Sequence, residues 1–163
     1  MTNSANLLRL AEQLSARSQT LAVAESCTGG LLAQLLTARA GASAWFECGL
    51  VTYSNRAKHI VLGVPETTLS TYGAVSQQTA LAMVRGTLER IGTDWALSIT
   101  GIAGPGGGSA EKPVGTVWIA CGHADAEAHA VEHHFVGDRE AIRRQSAAAA
   151  IELVLQRLHL AAN

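Results

Sequence analysis

The stretch TLAVAESCTGGLLAQLLTA, residues 20–38, decides how this chain is read. Its first part is a short continuous apolar run, the pattern of a strand covered on both faces. Its last part carries Leu31, Leu32, Leu35 and Leu36 at helical spacing and predicts a helix over 28–38. Between them stand Ser26, Cys27, Thr28, Gly29 and Gly30. A strand–turn–helix corner of this kind puts a serine hydroxyl beside the backbone N–H groups of a helix N-terminus. Such donors hold a phosphate, or the oxyanion of an acyl-transfer intermediate. The same residue types also have a purely structural use, since Ser and Thr cap helices and Gly turns the chain. Spacing alone favours the cap.

Working outward, helices and strands alternate. Leu7, Leu10, Ala11 and Leu14 predict a helix over 4–17, with Asn3 or Ser4 as cap. FECGLVTY, residues 46–53, alternates as a strand, and Ser54 is placed to cap a short helix through Ala57, Lys58 and Ile60. Pro65 suits the first turn of another helix and Gly73 breaks the chain. Ser76 opens a helix with Ala80, Met83, Val84, Thr87, Leu88 and Ile91 on one face. WALSIT, residues 95–100, is a strand; 115–121 and 128–136 form a hairpin; and Asp138 caps a last helix to about 159. The order predicts one domain over residues 1–163, an α/β chain built as a three-layer α/β/α sandwich around a mixed β-sheet.

Composition narrows the function classes. Charged residues are only 15 % and the net charge is −1, which argues against a nucleic-acid or anionic-membrane surface. No stretch has the length of a membrane span and the N-terminus lacks a signal-peptide pattern, so the expected compartment is the cytoplasm. Cys27, Cys48 and Cys121 are odd in number and widely spaced, matching neither a disulfide framework nor a metal-ligand pattern.

Three loops follow predicted strands: AESCTGG at 24–30, TYSNRAK at 52–58 and TGIAGPGGG at 100–108. Strand ends are where open α/β sheets place ligands. Ser26 needs a base to become a nucleophile. Most histidines fall in the late hairpin or last helix; His59, beside Lys58, is the exception. Lys58 is an alternative base if burial strips its proton, as in serine–lysine hydrolases. Its neutral alternative is an exposed helix lysine, and Ser54, four residues before it, offers a rival pair within one helix. Tyr53 is placed to share a pocket with Lys58. The loop at 101–115 holds six glycines and two prolines, so it is neither helix nor strand. Closely spaced glycines let main-chain amides approach an anion, although no P-loop ending is present. Lys112 and Arg139 are spare cations for a phosphate.

Together AESCTGG, GLVTYSNRAKHIVLGV, YGAVS, SITGIAGPGGGSAEKPVGTVW and FVGDREAIRRQ resemble the CinA C-terminal domain family over roughly residues 5–158. The resemblance implies a stand-alone amidase that hydrolyses the carboxamide of nicotinamide mononucleotide (NMN) to nicotinate mononucleotide and ammonia, in pyridine-nucleotide recycling. It implies Ser26 as nucleophile with Lys58 and Tyr53 as its catalytic partners. Substrate-binding roles fall on Cys27, Thr28, Gly29, Gly30, Thr100, Gly101, Gly104, Gly106 and Arg139. The helix N-terminus is assigned to the oxyanion, and TGIAGPGGG with Arg139 to the phosphate. No metal or organic cofactor and a homodimer are implied as well. The alternatives are an amidase for another phosphorylated pyridine amide, or a non-catalytic nucleotide- or partner-binding module linked to competence and DNA damage.

Overall fold

The computed structural model describes residues 4–161. Five strands and six helices follow the chain as α1 Ser4–Ala16, β1 Leu21–Glu25, α2 Leu31–Thr37, β2 Phe46–Val51, α3 Asn55–Leu62 and α4 Glu66–Tyr72, then α5 Gln77–Ile91, β3 Trp95–Gly101, β4 Thr116–His123, β5 His129–His134 and α6 Arg139–Leu160. The sheet order is β2-β1-β3-β4-β5. β1 runs parallel to both its neighbours, while β4 and β5 are antiparallel additions. This is the expected three-layer sandwich around a mixed sheet.

The two faces of the sheet are built from different residues. Leu21 and Val23 of β1, Leu97 and Ile99 of β3, and Val117 and Ile119 of β4 share one core with Leu10, Leu14, Leu32, Ile151 and Val154 of α1, α2 and α6. Ala24, Ala96 and Ala120 take the other face, against Met83, Ala80 and Val84 of α5. Small side chains on that face let α5 approach, and Ser98 Oγ donates to the Ala80 carbonyl at 2.7 Å. The closeness extends to α3, since a Cβ on Gly86 would run into the Leu62 carbonyl oxygen. β1 is buried at every position, whereas β2 alternates as an edge strand must.

Boundaries differ where special backbone intervenes. Asn3 lies outside the described residues, and Ser4 is the first residue of α1. The helix expected from 28 begins at Leu31, because Gly29 and Gly30 take φ of 59° and 98°, outside helical space. β2 ends at Val51, since Thr52 and Tyr53 turn their carbonyls toward a side chain of α3. Ser54, Ser76 and Asp138 cap their helices as expected, accepting from Ala57, Thr79 and Ala141 N–H respectively.

What positions the site is the sheet order. From β1 the chain leaves to one side to make β2, then returns through α3–α5 to make β3 on the other side. The connections therefore pack on opposite faces and part at the C-terminal end of β1. This is the switch-point crevice in which open α/β sheets bind ligands. The C-terminal ends of β2, β1 and β3 lie side by side there, and with them the three loops singled out above.

Candidate active site

Ser26 directly follows β1, its N–H donating to the Ile99 carbonyl of β3 at 2.9 Å. Lys58 lies in the first turn of α3, yet it is only 1 % exposed. Its Nζ is 2.9 Å from Ser26 Oγ, 3.1 Å from the Thr52 carbonyl and 3.2 Å from the Tyr53 carbonyl. No carboxylate forms an ion pair with it among the described residues. Removal from water without a counter-ion disfavours the ammonium form. Burial accordingly lowers its pKa from 10.5 to about 8. A neutral amine has two N–H groups and one lone pair. Two of the neighbours of Nζ are carbonyls, which can only accept. The third is a hydroxyl, which can donate. Nζ donates to all three, and Ser26 Oγ in turn donates to the Tyr53 carbonyl at 3.4 Å. On losing a proton the amine keeps two N–H groups for the carbonyls and gains a lone pair beside the Ser26 hydroxyl.

This geometry removes the competing readings of both residues. Lys58 is not a surface lysine, and the rival pair with Ser54 does not form, because Ser54 Oγ is engaged by the Ala57 N–H at 3.0 Å. His59 is no base for Ser26, its Nδ1 lying 2.9 Å from the Val64 carbonyl. Ser26 is not the cap of α2. That position is Gly30, which has no side chain to offer. The capping is done by Glu25, a fully buried carboxylate that sequence reading overlooks. Its Oε2 accepts from Gly30 N–H at 3.1 Å and Leu32 N–H at 3.0 Å, and its Oε1 from Ala33 N–H at 2.8 Å. The available signal is a lone acid closing an otherwise apolar strand.

Glu25 also corrects the expected oxyanion site. The first N–H groups of α2 are already bonded to its carboxylate, and Gly29 N–H donates to the Ser26 carbonyl at 3.0 Å. Thr28, Gly29 and Gly30 do not line the cleft; Ser26 and Cys27 do. Cys27 N–H has no main-chain carbonyl acceptor among the described residues. The Cys27 thiol is 5 % exposed, and burial pushes its pKa up to about 11, so it is not a thiolate nucleophile at neutral pH.

The cleft has a volume of about 260 Å³. Ser26, Lys58 and Tyr53 line it together with Gly104, Gly106, Gly107 and Arg139. Thr100, Gly101, Asn55 and Val75 are also on the wall. Arg139, the first residue of α6, donates to the Gly104 carbonyl at 2.8 Å and to the Tyr53 hydroxyl at 3.1 Å. It ties together the loops that follow β2 and β3. The Tyr53 hydroxyl therefore faces Arg139, and the part of Tyr53 in contact with Lys58 is its carbonyl. Thr100 Oγ1 donates to the Ala74 carbonyl at 2.8 Å, anchoring the YGAVS segment as a wall. Lys112, the other spare cation, is drawn away to the Tyr72 carbonyl at 2.8 Å. Asn55, Val75 and Gly107 join the wall from the TYSNRAK, YGAVS and TGIAGPGGG segments, though sequence reading singles out none of them as a site residue. A roomier hollow of about 630 Å³ is lined by His59, Glu66 and Ser70, but Ser70 Oγ donates to the Thr67 carbonyl at 3.2 Å and His59 Nδ1 lies 2.9 Å from the Val64 carbonyl.

No group of three or more His, Cys, Asp or Glu side chains among the described residues is placed to share a metal ion. No helix among them is long and apolar enough to cross a membrane.

Comparison with known proteins points the same way. The family model of the CinA C-terminal domain matches residues 4–158. The chain is 52 % identical over 143 residues to the nicotinamide-nucleotide amidohydrolase PncC of Enterobacter agglomerans, spanning 88 % of this chain and 87 % of that protein. It is 51 % identical over 160 residues to the protein of the same name from Escherichia coli K12, spanning 96 % of each. Among solved structures, the CinA superfamily protein KP700603 from Klebsiella pneumoniae 700603 superposes with a TM-score of 0.93 at 38 % identity, over 98 % of this chain and 99 % of that one. With the motifs, the fold and the cleft in agreement, the chain belongs to the CinA C-terminal domain family.

Proposed function

We propose that this protein is an amidase that hydrolyses the carboxamide of NMN to nicotinate mononucleotide and ammonia. The observation that carries the proposal is the buried, counter-ion-free Lys58 amine 2.9 Å from Ser26 Oγ. A lysine so placed is costly to bury and useless to a module that only binds. It is what a serine hydrolase needs in place of histidine. The substrate assignment draws on the name of the relatives at about half identity.

The steps follow from the residues. Neutral Lys58 takes the Ser26 proton as Oγ bonds to the amide carbon. The carbonyl oxygen gains the electron pair, held by the Cys27 N–H, a donor in the position that typically contributes ~3 kcal/mol in such sites. The C–N bond breaks, the pair returns to the carbonyl, and Lys58 gives its proton to the departing ammonia. Water, deprotonated by the same amine, attacks the acyl-enzyme and frees the carboxylate product and Ser26. No metal or organic cofactor enters any step.

The glycine-rich wall of the cleft suits the phosphate. Ala103, Gly104, Gly106 and Gly107 N–H have no main-chain acceptor among the described residues, and the exposed Arg139 guanidinium stands beside them. Amides from a glycine-rich turn and an arginine fork form an anion cradle. Holding the phosphate there sets the carboxamide near Ser26 before chemistry starts. Thr100 and Gly101 belong to the same wall. Tyr53 holds Arg139 in place through its hydroxyl and Lys58 through its carbonyl. The same proposal includes a homodimer acting in the cytoplasm, in pyridine-nucleotide recycling.

The test is ammonia release from NMN compared with nicotinamide riboside, which lacks the phosphate. The expected result is turnover of NMN with kcat/KM about 100-fold or more above the riboside. Equal rates on both would contradict the phosphate cradle, and no ammonia from either would contradict the amidase.

A further inference from the structure

The amidase reading leaves two buried-end contacts unexplained, and both act on the turn that carries Ser26. Glu25 is 0 % exposed and forms no ion pair among the described residues. Its carboxylate is satisfied by the three main-chain N–H groups of Gly30, Leu32 and Ala33. On the other side of the turn, Arg143 reaches from α6 and donates to the Thr28 carbonyl at 2.7 Å. Arg143 also lacks a carboxylate partner among the described residues. The turn is thus held at its middle by a guanidinium on the Thr28 carbonyl and at its exit into α2 by a carboxylate. Directly before these points, between Glu25 itself and Thr28, sit Ser26 and Cys27, the residues of the turn that line the cleft.

Resting on the reading of Ser26 as the attacking group, we propose that Glu25 and Arg143 are positioning residues of the reaction: together they lock the Ser26–Gly30 turn so that the Ser26 hydroxyl and the Cys27 N–H stay aimed at one point in the cleft.

The reason for a carboxylate is its acceptor count. Three N–H groups converge on two oxygens that only accept. A glutamine would present an NH₂ to at least one of those donors and free one end of the turn. The reason for Arg143 is that α6 otherwise touches the turn from outside, and its bond to the Thr28 carbonyl fixes the peptide plane next to the Cys27–Thr28 corner. Neither side chain lines the cleft, so neither is expected to bind substrate. A plain helix cap would lower stability when removed and leave turnover by the folded protein unchanged.

The experiment compares kcat and KM for ammonia release from NMN in the full chain and in Glu25→Gln, Arg143→Met and Arg143→Lys, with circular dichroism to establish folding. The expected losses in kcat are ~30-fold for Glu25→Gln and ~10-fold for Arg143→Met, with KM within about twofold, since misplacing a reacting group by under an ångström costs this much. Arg143→Lys keeps a donor for the Thr28 carbonyl and is expected to recover most of the loss. The same variants are treated with an alkyl fluorophosphonate. Its phosphorus bonds to Ser26 Oγ as fluoride leaves, and the serine proton passes to Lys58, with no need for NMN recognition. Parallel slowing of this labelling supports the proposal, even if the wild type releases no ammonia from NMN, a result that would count against the substrate alone. If Glu25→Gln does not fold, the Arg143 pair decides. Wild-type kcat and labelling rate in folded variants, or a loss confined to KM, would overturn it.

Discussion

Lys58→Arg is expected to leave a folded protein whose kcat for NMN is lower by ~10³-fold or more. The change keeps the positive charge and much of the length, so it isolates the one property that lysine has and arginine lacks. Lysine can give up its proton inside a protein, and arginine cannot. The Lys58 pKa is already lowered to about 8 by burial among neutral groups. The sign of the pH dependence follows. Below pH 8 the amine is increasingly an ammonium, without a lone pair for the Ser26 proton. As pH rises through about 8 the neutral form takes over. Wild-type kcat/KM is therefore expected to climb about tenfold per pH unit below pH 8 and level off above it. A flat profile from pH 6 to 9, or an active Lys58→Arg, would remove Lys58 from the role of base.

Ser26→Ala is expected to have the larger effect, a loss of kcat of ~10⁴-fold or more with NMN affinity retained. In the proposed mechanism Ser26 supplies the oxygen that bonds to the substrate, and alanine has none to offer. Cys27 is the obvious substitute, but its buried thiol, with pKa about 11, does not supply the thiolate. Binding survives because the phosphate is assigned to Arg139 and the glycine-rich loop, which also line the cleft. Steady-state ammonia release measures the first quantity and calorimetry with NMN the second. Loss of both would make Ser26 a binding residue instead.

Local features of the fold are legible in the sequence because local rules produce them. The caps at Ser54, Ser76 and Asp138 each need only a residue within three positions, and each is found where the pattern puts it. The buried strand before Ser26 is equally plain, since a parallel strand covered on both faces is a near-continuous apolar run, broken here only by Glu25 at its end. The burial of Lys58 is different. On paper it lies on a helix face four residues from Ser54, and nothing in its neighbours distinguishes it from a solvated lysine. What buries it is β2 lying next to β1, which brings the start of α3 over the end of the Ser26 strand. Strand order is a long-range property, and the convergence of three loops depends on it.

Glu25 is the instructive omission. Reading Ser26 as cap or catalyst assumes that the helix N-terminus awaits a partner from its own turn. The structure satisfies it from the strand before, with a side chain that reaches over five to eight residues. That contact frees Ser26 from capping, and it also withdraws from the substrate the very donors that the glycine-rich corner seems to advertise. In the proposed mechanism the oxyanion role therefore contracts to the Cys27 N–H, with the phosphate assigned to the glycine-rich wall of the same cleft.

The central claim is a covalent serine mechanism driven by a neutral lysine. The direct measurement is the mass of the intact protein quenched in acid during turnover of NMN, followed by mapping of the modified peptide. The account predicts a nicotinate mononucleotide acyl group on Ser26, absent in Ser26→Ala. Turnover with the adduct on Cys27, or in the Ser26→Ala protein, would contradict it.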